Sequence, residues 1–269
     1  MPDDKLFQAT TGRAAESTHW YNRQGQAVYE VPSADGRKMV TPDIRHARKM
    51  NLVPGVTAVI GCAARPQLTI WLMKQAVMAA LTLTRRPHEP EPEYLSRVID
   101  DANEQSKQAA DEGTRIHTAI ECYYSGRDYD PKYQLHVMGV VDCLNRSYGA
   151  DTEWIAEESF ACPLGFGSKI DLRARNKRII VDIKGKDFVE PPGKGERMAY
   201  DEHCMQLAAY DTAKGDSHAC ANLFVSRNAP GLCHLHQWDA TELNRGWEMF
   251  AAMLSYWQVK NKYVSAWGS

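Results

Sequence analysis

Paired cysteines, long apolar runs and a charge imbalance are all missing from this chain of 269 residues. Its seven cysteines (Cys62, Cys122, Cys143, Cys162, Cys204, Cys220 and Cys233) are odd in number and form no C-x-x-C pair. That excludes a zinc ribbon, a thioredoxin-type motif and a disulfide scaffold, and leaves reduced thiols of a cytosolic protein. The looser groupings His203-Cys204, His218-x-Cys220 and Cys233-His-Leu-His236 match no common zinc spacing, and strand alternation puts Cys233 and His234 on opposite faces. No apolar stretch approaches the roughly 18 residues of a membrane span. The opening Met1-Pro-Asp-Asp-Lys5 is acidic, with neither an apolar signal region nor an Arg-rich, acid-poor transit character. A soluble, cytoplasmic protein is therefore expected, with no membrane partner. With 32 Lys+Arg against 34 Asp+Glu, any polyanion must be met by a local basic patch rather than by overall charge.

What is present is an ordinary globular composition, 43% hydrophobic and 25% charged, without internal repeats. Residues 1–60 hold short extended pieces and turns, with alternation over 26–31, a turn at Ser33-Ala-Asp-Gly36 and a returning piece at 38–41. They are read as an N-terminal extension to a domain spanning 61–269 and continuous with it. Residues 66–82 are helical and apolar nearly all round, which predicts a buried helix. A proline-broken linker at 85–92 precedes a long amphipathic helix over 94–124, whose apolar stripe at spacings of three and four includes His117. A second helix follows at 132–148. From Asp151 the pattern changes to strands at 154–161, 169–174 and 178–183, a helix at 198–213, strands at 221–226 and 233–238, and a last helix from Thr241 to about 261, with Asp239 as the competing cap. This order predicts an α/β fold, a central mixed sheet flanked by helices.

Asp182-Ile183-Lys184 closes an apolar strand, so the carboxylate and the ammonium project to one face while Ile183 points away. Taken alone, a D/E-x-K triplet is a surface ion pair. A hairpin about Asn176-Lys177, however, would bring Asp171 opposite Asp182. Two carboxylates are hard oxygen ligands for Mg²⁺ or Mn²⁺, and a lysine beside them suits phosphodiester hydrolysis.

In this setting the sequence resembles the PD-(D/E)XK nuclease superfamily, and within it the RecB-type exonucleases with their phage and mitochondrial-type members. The resemblance rests on Gly113-Thr-Arg-Ile-His117-Thr-Ala-Ile-Glu121, Glu157-Glu158, Gly167-Ser-Lys-Ile-Asp171, Val181-Asp-Ile-Lys184 and Gln206-Leu-Ala-Ala-Tyr210. Upstream, Val53-Pro-Gly-Val-Thr57-Ala-Val-Ile60 and Leu68-x-x-Trp71 resemble further segments of that group. The pieces run in family order over about 52–210.

The resemblance implies a restriction-endonuclease-like core and a metal-dependent DNA exonuclease, in phage-type recombination, replication or repair. It implies one or two Mg²⁺ or Mn²⁺ ions held by His117, Asp171, Asp182 and the carbonyl of Ile183, with Lys184 orienting or activating water. Gln206 and Tyr210 would support the site. One of Glu157 and Glu158 belongs there too; Glu158 is preferred for its even spacing from Trp154 and Phe160. Glu121 is either a neighbour of the ligands or plain helix surface. No downstream cysteine cluster matches the iron–sulfur branch, so no such cluster is expected. Lys169, Arg173, Lys186, Lys194 and Arg197 are the expected DNA contacts. The partners implied are single- or double-stranded DNA ends in a bacterial or phage-infected cell, and a recombination or single-strand-binding protein. The alternatives are a structure-specific or restriction-type endonuclease, and a catalytically silent module that binds DNA ends.

Overall fold

Runs rich in Ile, Val and Leu, bounded by turn residues, build the centre of the molecule. In the computed structural model, which describes residues 19–33, 35–64, 66–193, 196–215, 217–265 and 267, they form one five-stranded sheet. Its strands are β6 (Trp154–Cys162), β7 (Phe166–Ala174), β8 (Ile179–Lys186), β9 (Ala219–Ser226) and β10 (Cys233–Trp238), in the order β10-β9-β8-β7-β6. The β8–β9 pair is parallel and its connection contains helix α6 (Asp201–Lys214); the other neighbours are antiparallel. The sheet is thus mixed and flanked by helices.

One face carries α4 (Glu91–Tyr124) and α5 (Gln134–Tyr148), whose Ile116, Ile120, Val137 and Val140 are buried with Leu172, Val181, Ile183 and Leu223. The other face carries α6 and α7 (Ala240–Asn261), with Leu207, Tyr210 and Phe250 buried against Phe166, Ile170, Ile180 and Phe224. The N-cap of α7 is Asp239, not Thr241. Its carboxylate accepts the Glu242 N–H at 2.8 Å, while Glu242 accepts the Asp239 N–H at 3.1 Å, a reciprocal box that Thr241 cannot form.

Residues 1–18 of the expected N-terminal extension lie outside the described residues. The remainder forms β1 (Trp20–Tyr21), β2 (Ala27–Val28), β3 (Val31–Pro32), β4 (Met39–Val40), α1 (Ile44–Met50), β5 (Val53–Pro54) and α2 (Val56–Ile60). Its Trp20, Leu52, Val56 and Val59 share one hydrophobic cluster with Phe160, Phe166 and Phe250. Gly55 bridges Gly167 of β7, where an added Cβ would lie 2.7 Å from the Tyr21 Cβ. Glycine there is what lets β1 lie on the sheet.

The remaining helix, α3 (Pro66–Thr82), contradicts the expectation of burial. It is covered on one side, by α4, through a small cluster of Ala79, Val98 and Ala102, and most of its large side chains face outward. Periodicity reports that a helix is apolar; it cannot report that the chain itself supplies cover on one side alone.

Both β6 and β7 change phase at one level. Trp154 and Ala156 pack on the α4/α5 face, whereas Phe160 and Cys162 pack on the α6/α7 face. Likewise Ile170 and Leu172, two apart on β7, face opposite sides. The register is identical above and below, with Ala156 opposite Leu172 and Glu158 opposite Ile170, so no residue has been inserted. The change falls on Glu157, whose φ is +58°, and on Asp171 across from it. A non-glycine residue in the left-handed region within a strand is strained, and such strain collects at functional sites.

Candidate active site

Where the phase changes, β7 parts from β8. Leu172 pairs with Val181 and Arg173 with Ile180, a register that would next oppose Asp171 and Asp182. Instead the Asp171 carboxylate accepts the Ile183 N–H at 2.7 Å, taking the place of a main-chain acceptor. The opening is a cavity of about 350 Å³ walled by β7, β8, α4 and α6, with His19, Tyr21 and Thr57 of the N-terminal region.

Helix α4 reaches this opening because two glycines meet. A Cβ on Gly185 would lie 3.2 Å from the Gly113 Cα. One turn on, His117 Nε2 stands 3.1 Å from Asp171 Oδ1 and 3.9 Å from Glu157 Oε1. His117, Glu121 and Glu157 each bring a ligand atom within 4.8 Å of the others, and Glu121 also pairs with Arg127. The Glu157 carboxylate forms an ion pair with Lys169.

On β8, Asp182 is fully buried, and a buried charge needs partners. Lys184 Nζ donates to its Oδ1 at 2.9 Å and Asn222 Nδ2 to its Oδ2 at 2.8 Å. Asn222, beside Asp182 in the parallel β8–β9 register, is held in turn by the Trp238 indole N–H at 2.7 Å. Lys184 lines the cavity while Asp182 does not, so Asp182 meets the opening through the ammonium it holds. From α6, Gln206 Nε2 donates to the Tyr210 hydroxyl at 2.5 Å and Ser168 Oγ does so at 3.2 Å.

Electrostatics sorts these groups by role. Burial alone would push the Asp171 carboxyl up, but His117, Lys184 and the Ile183 N–H outweigh it and hold the pKa below the usual carboxylate range. Asp171 is therefore an anion at neutral pH. Burial, with the charges of Asp182 and Asp171, drives the Tyr210 hydroxyl far above its ordinary value. Tyr210 keeps its proton and serves as a fixed hydrogen-bonding strut.

The donor set fits a divalent ion. Two ligands of one octahedral ion with bonds near 2.1 Å lie about 3 Å apart, which is the His117–Asp171 separation. One imidazole among carboxylate and carbonyl oxygens is a donor set that a divalent cation can take.

His117, Asp171, Ile183, Lys184, Gln206 and Tyr210 all line the one cavity. Glu158 does not belong with them and its preference over Glu157 is corrected. Its carboxylate pairs with Arg173 and Lys214 on the α6 face. Even spacing from Trp154 and Phe160 misleads because those two residues lie on opposite faces of the sheet. Of the expected DNA contacts, Lys169 lines the cavity and Lys194 lies outside the described residues. Arg173 is taken by Glu158, and Arg197 bonds Asp201 and the Ala199 carbonyl. Lys186 donates to the Met198 carbonyl and rests over the Tyr200 and Phe224 rings.

Sequence reasoning gave no site role to His19, Tyr21, Asn222 and Arg227, nor to Thr57 and Ser168, which it quoted only within longer segments. Asn222 left a usable signal, a lone amide within the apolar strand Ala219–Ser226. Among the described residues all seven cysteines are free thiols, and no helix is long and apolar enough to cross a membrane.

No protein-family model matches the chain, and no curated protein matches it. Among solved structures, that of SSO0001 is 16% identical, covering 71% of this chain and 87% of that one at a TM-score of 0.30. LHK-Exo in complex with dAMP is 12% identical over 70% of this chain and 88% of its own, with a TM-score of 0.30. The alkaline exonuclease LHK-Exo from Laribacter hongkongensis is 14% identical over 72% and 98%, with a TM-score of 0.25. At these TM-scores the likenesses carry no argument about this chain.

Proposed function

We propose that the chain is a divalent-metal-dependent DNA exonuclease of the PD-(D/E)XK, RecB-like kind, hydrolysing phosphodiester bonds from DNA ends. One observation carries this reading: an imidazole–carboxylate pair, 3.1 Å between His117 and Asp171, faces the same opening as an ammonium held 2.9 Å from a buried carboxylate. His117, Asp171 and the Ile183 carbonyl are the residues that would hold Mg²⁺ or Mn²⁺, with Glu157 replacing Glu158 beside them, while Asp182, its oxygens taken by Lys184 and Asn222, serves the site through the lysine rather than as the ligand expected of it. When bound, such an ion lowers the pKa of water and offsets charge on the phosphate.

The chain's own groups do the rest. Asp182, itself fixed by Asn222, holds Lys184 so that its ammonium faces a phosphate oxygen or the attacking water. Asp171, kept anionic, orients His117, and Lys169 at the rim meets the incoming backbone. Tyr210, bonded by Ser168 of β7 and braced by Gln206, ties α6 to the sheet beside the opening.

The test is digestion of end-labelled single- and double-stranded oligonucleotides with Mg²⁺ or Mn²⁺, beside covalently closed circles. Stepwise loss from linear ends, with circles intact, is expected. Cut circles would make the enzyme an endonuclease. Unchanged cleavage by Lys184→Ala and Asp182→Asn chains would place the chemistry elsewhere.

A further inference from the structure

We propose that Arg227 binds a phosphate of the DNA strand beyond the scissile one, and that Asp187 holds its guanidinium until the strand arrives. The inference rests on the nuclease reading and gives that site a path for the strand. Arg227 follows β9, and its main-chain N–H donates to the Lys186 carbonyl at 3.0 Å. Its stem lies over Gly185, where an added Cβ would sit 3.7 Å from the Arg227 Cγ and Cδ. The head crosses to α4. One terminal N–H donates to the Ala109 carbonyl at 3.0 Å, and the Nε–H donates to Asp187 Oδ1 at 2.8 Å. A guanidinium has five N–H donors, and these two bonds leave the others without an acceptor among the described residues. Spare donors on a side chain 18% exposed, at the wall of the active-site cavity, suit a ligand rich in acceptor oxygens.

The route to Arg227 is open. Between it and Lys184 the cavity is walled by Gly185 of β8 and by Ala109, Ala110 and Gly113 of α4, none with a side chain larger than a methyl group. A Cβ on Gly113 would meet no described atom within 4 Å. A sugar–phosphate backbone can therefore lie close against both elements. Ala109 stands eight residues before His117, about 12 Å along the helix against about 3.4 Å between stacked nucleotides, so the phosphate at Arg227 is not the one being cut. Of the acidic and basic side chains that line the cavity, Lys169, Lys184 and Arg227 are cations and Asp171 is the one carboxylate. Glu112 of α4 is turned away, to Lys132 and Tyr133. Asp187 is 57% exposed, so its pair with Arg227 is weak enough to yield to a phosphate.

Fluorescence anisotropy of a labelled single-stranded oligonucleotide in EDTA tests this on the full chain. Arg227→Gln should weaken binding by about tenfold and lower the slope of log affinity against log salt by about one. Arg227→Lys keeps the charge and should keep the slope. Asp187→Asn should tighten binding by about threefold, and that gain should shrink in the Arg227→Gln background. An uncharged methylphosphonate linkage, placed away from the cut, should weaken binding to the wild-type chain and leave Arg227→Gln indifferent. An Arg227→Gln chain of wild-type affinity and salt slope overturns the proposal, as does an Asp187→Asn gain equal in both backgrounds. So does a wild-type chain without affinity for the oligonucleotide. Digestion with Mg²⁺ or Mn²⁺ reads the nuclease activity separately. A chain that cuts DNA while Arg227→Gln binds normally loses this contact alone; one that never cuts, yet binds through Arg227, loses the nuclease reading and keeps the phosphate contact.

Discussion

The two halves of α4 are one continuous helix in opposite surroundings. Beyond Gly113 it is sunk into the sheet face, with Ile116 and Ile120 buried and His117 at the cavity. Before Ala109 it stands with α3 as a hairpin whose outer residues, Leu95 and Ile99 among them, are open. The same apolar stripe runs through both. What differs is the neighbour: five strands and α5 on one side, a single helix on the other. The period of a helix therefore shows which face wants cover and is silent on whether the same chain provides it.

The sharpest way to break this comparison is to alter each half. His117→Ala in the sunk half should cost about a hundredfold to a thousandfold in cleavage rate on end-labelled DNA. Ile99→Glu in the open half should leave that rate within about twofold, because surface substitutions away from a site do little. Equal losses would mean that the hairpin belongs to the site.

Next in size is the contact where α4 meets β8. Gly185→Ala places a methyl 3.2 Å from the Gly113 Cα, and should cost about 1–3 kcal/mol in urea unfolding. The neighbouring glutamates separate site from scaffold. Glu157→Gln is expected to lower cleavage by about tenfold. Glu158→Gln should spare cleavage and cost about 1 kcal/mol of stability through its links to Arg173 and Lys214.

The smallest effect concerns the open half. Glu89 at the hairpin's turn has its pKa lowered to about 2, chiefly by Arg97, with the Arg86 N–H adding to it. A depressed carboxylate contributes fully above its unfolded value of 4.5 and loses that contribution as pH falls toward 2. Protection factors of the α3 amides, corrected for the intrinsic exchange rate at each pH, should therefore fall across that window. Protection factors that are flat with pH would show the hairpin to be held by other means.

Much of this was legible in the residues. Every strand of the five-stranded sheet was anticipated within a few positions, and the turn at Asn176-Lys177 sets the register that the β7–β8 ladder follows. The start of β7 at Phe166 was missed because Gly167 reads as a turn residue, whereas it is a strand position pressed under Tyr21. The left-handed Glu157 had no sequence mark at all, since nothing local favours φ > 0 at a glutamate. It is imposed by the two strands changing phase together. The first part of the cavity's N-terminal wall was equally hidden, because His19 and Tyr21 join it through tertiary contact alone.

That wall carries a consequence for how the protein comes into being. On the ribosome, β1 and α2 emerge long before β7, the strand they lean on through Gly55 and Gly167. A nascent chain interrupted before β8 already displays His117 yet possesses neither Asp182 nor Lys184. On the proposed reading such a fragment lacks the lysine and carboxylate of the site, which is assembled only after most of each polypeptide has been translated.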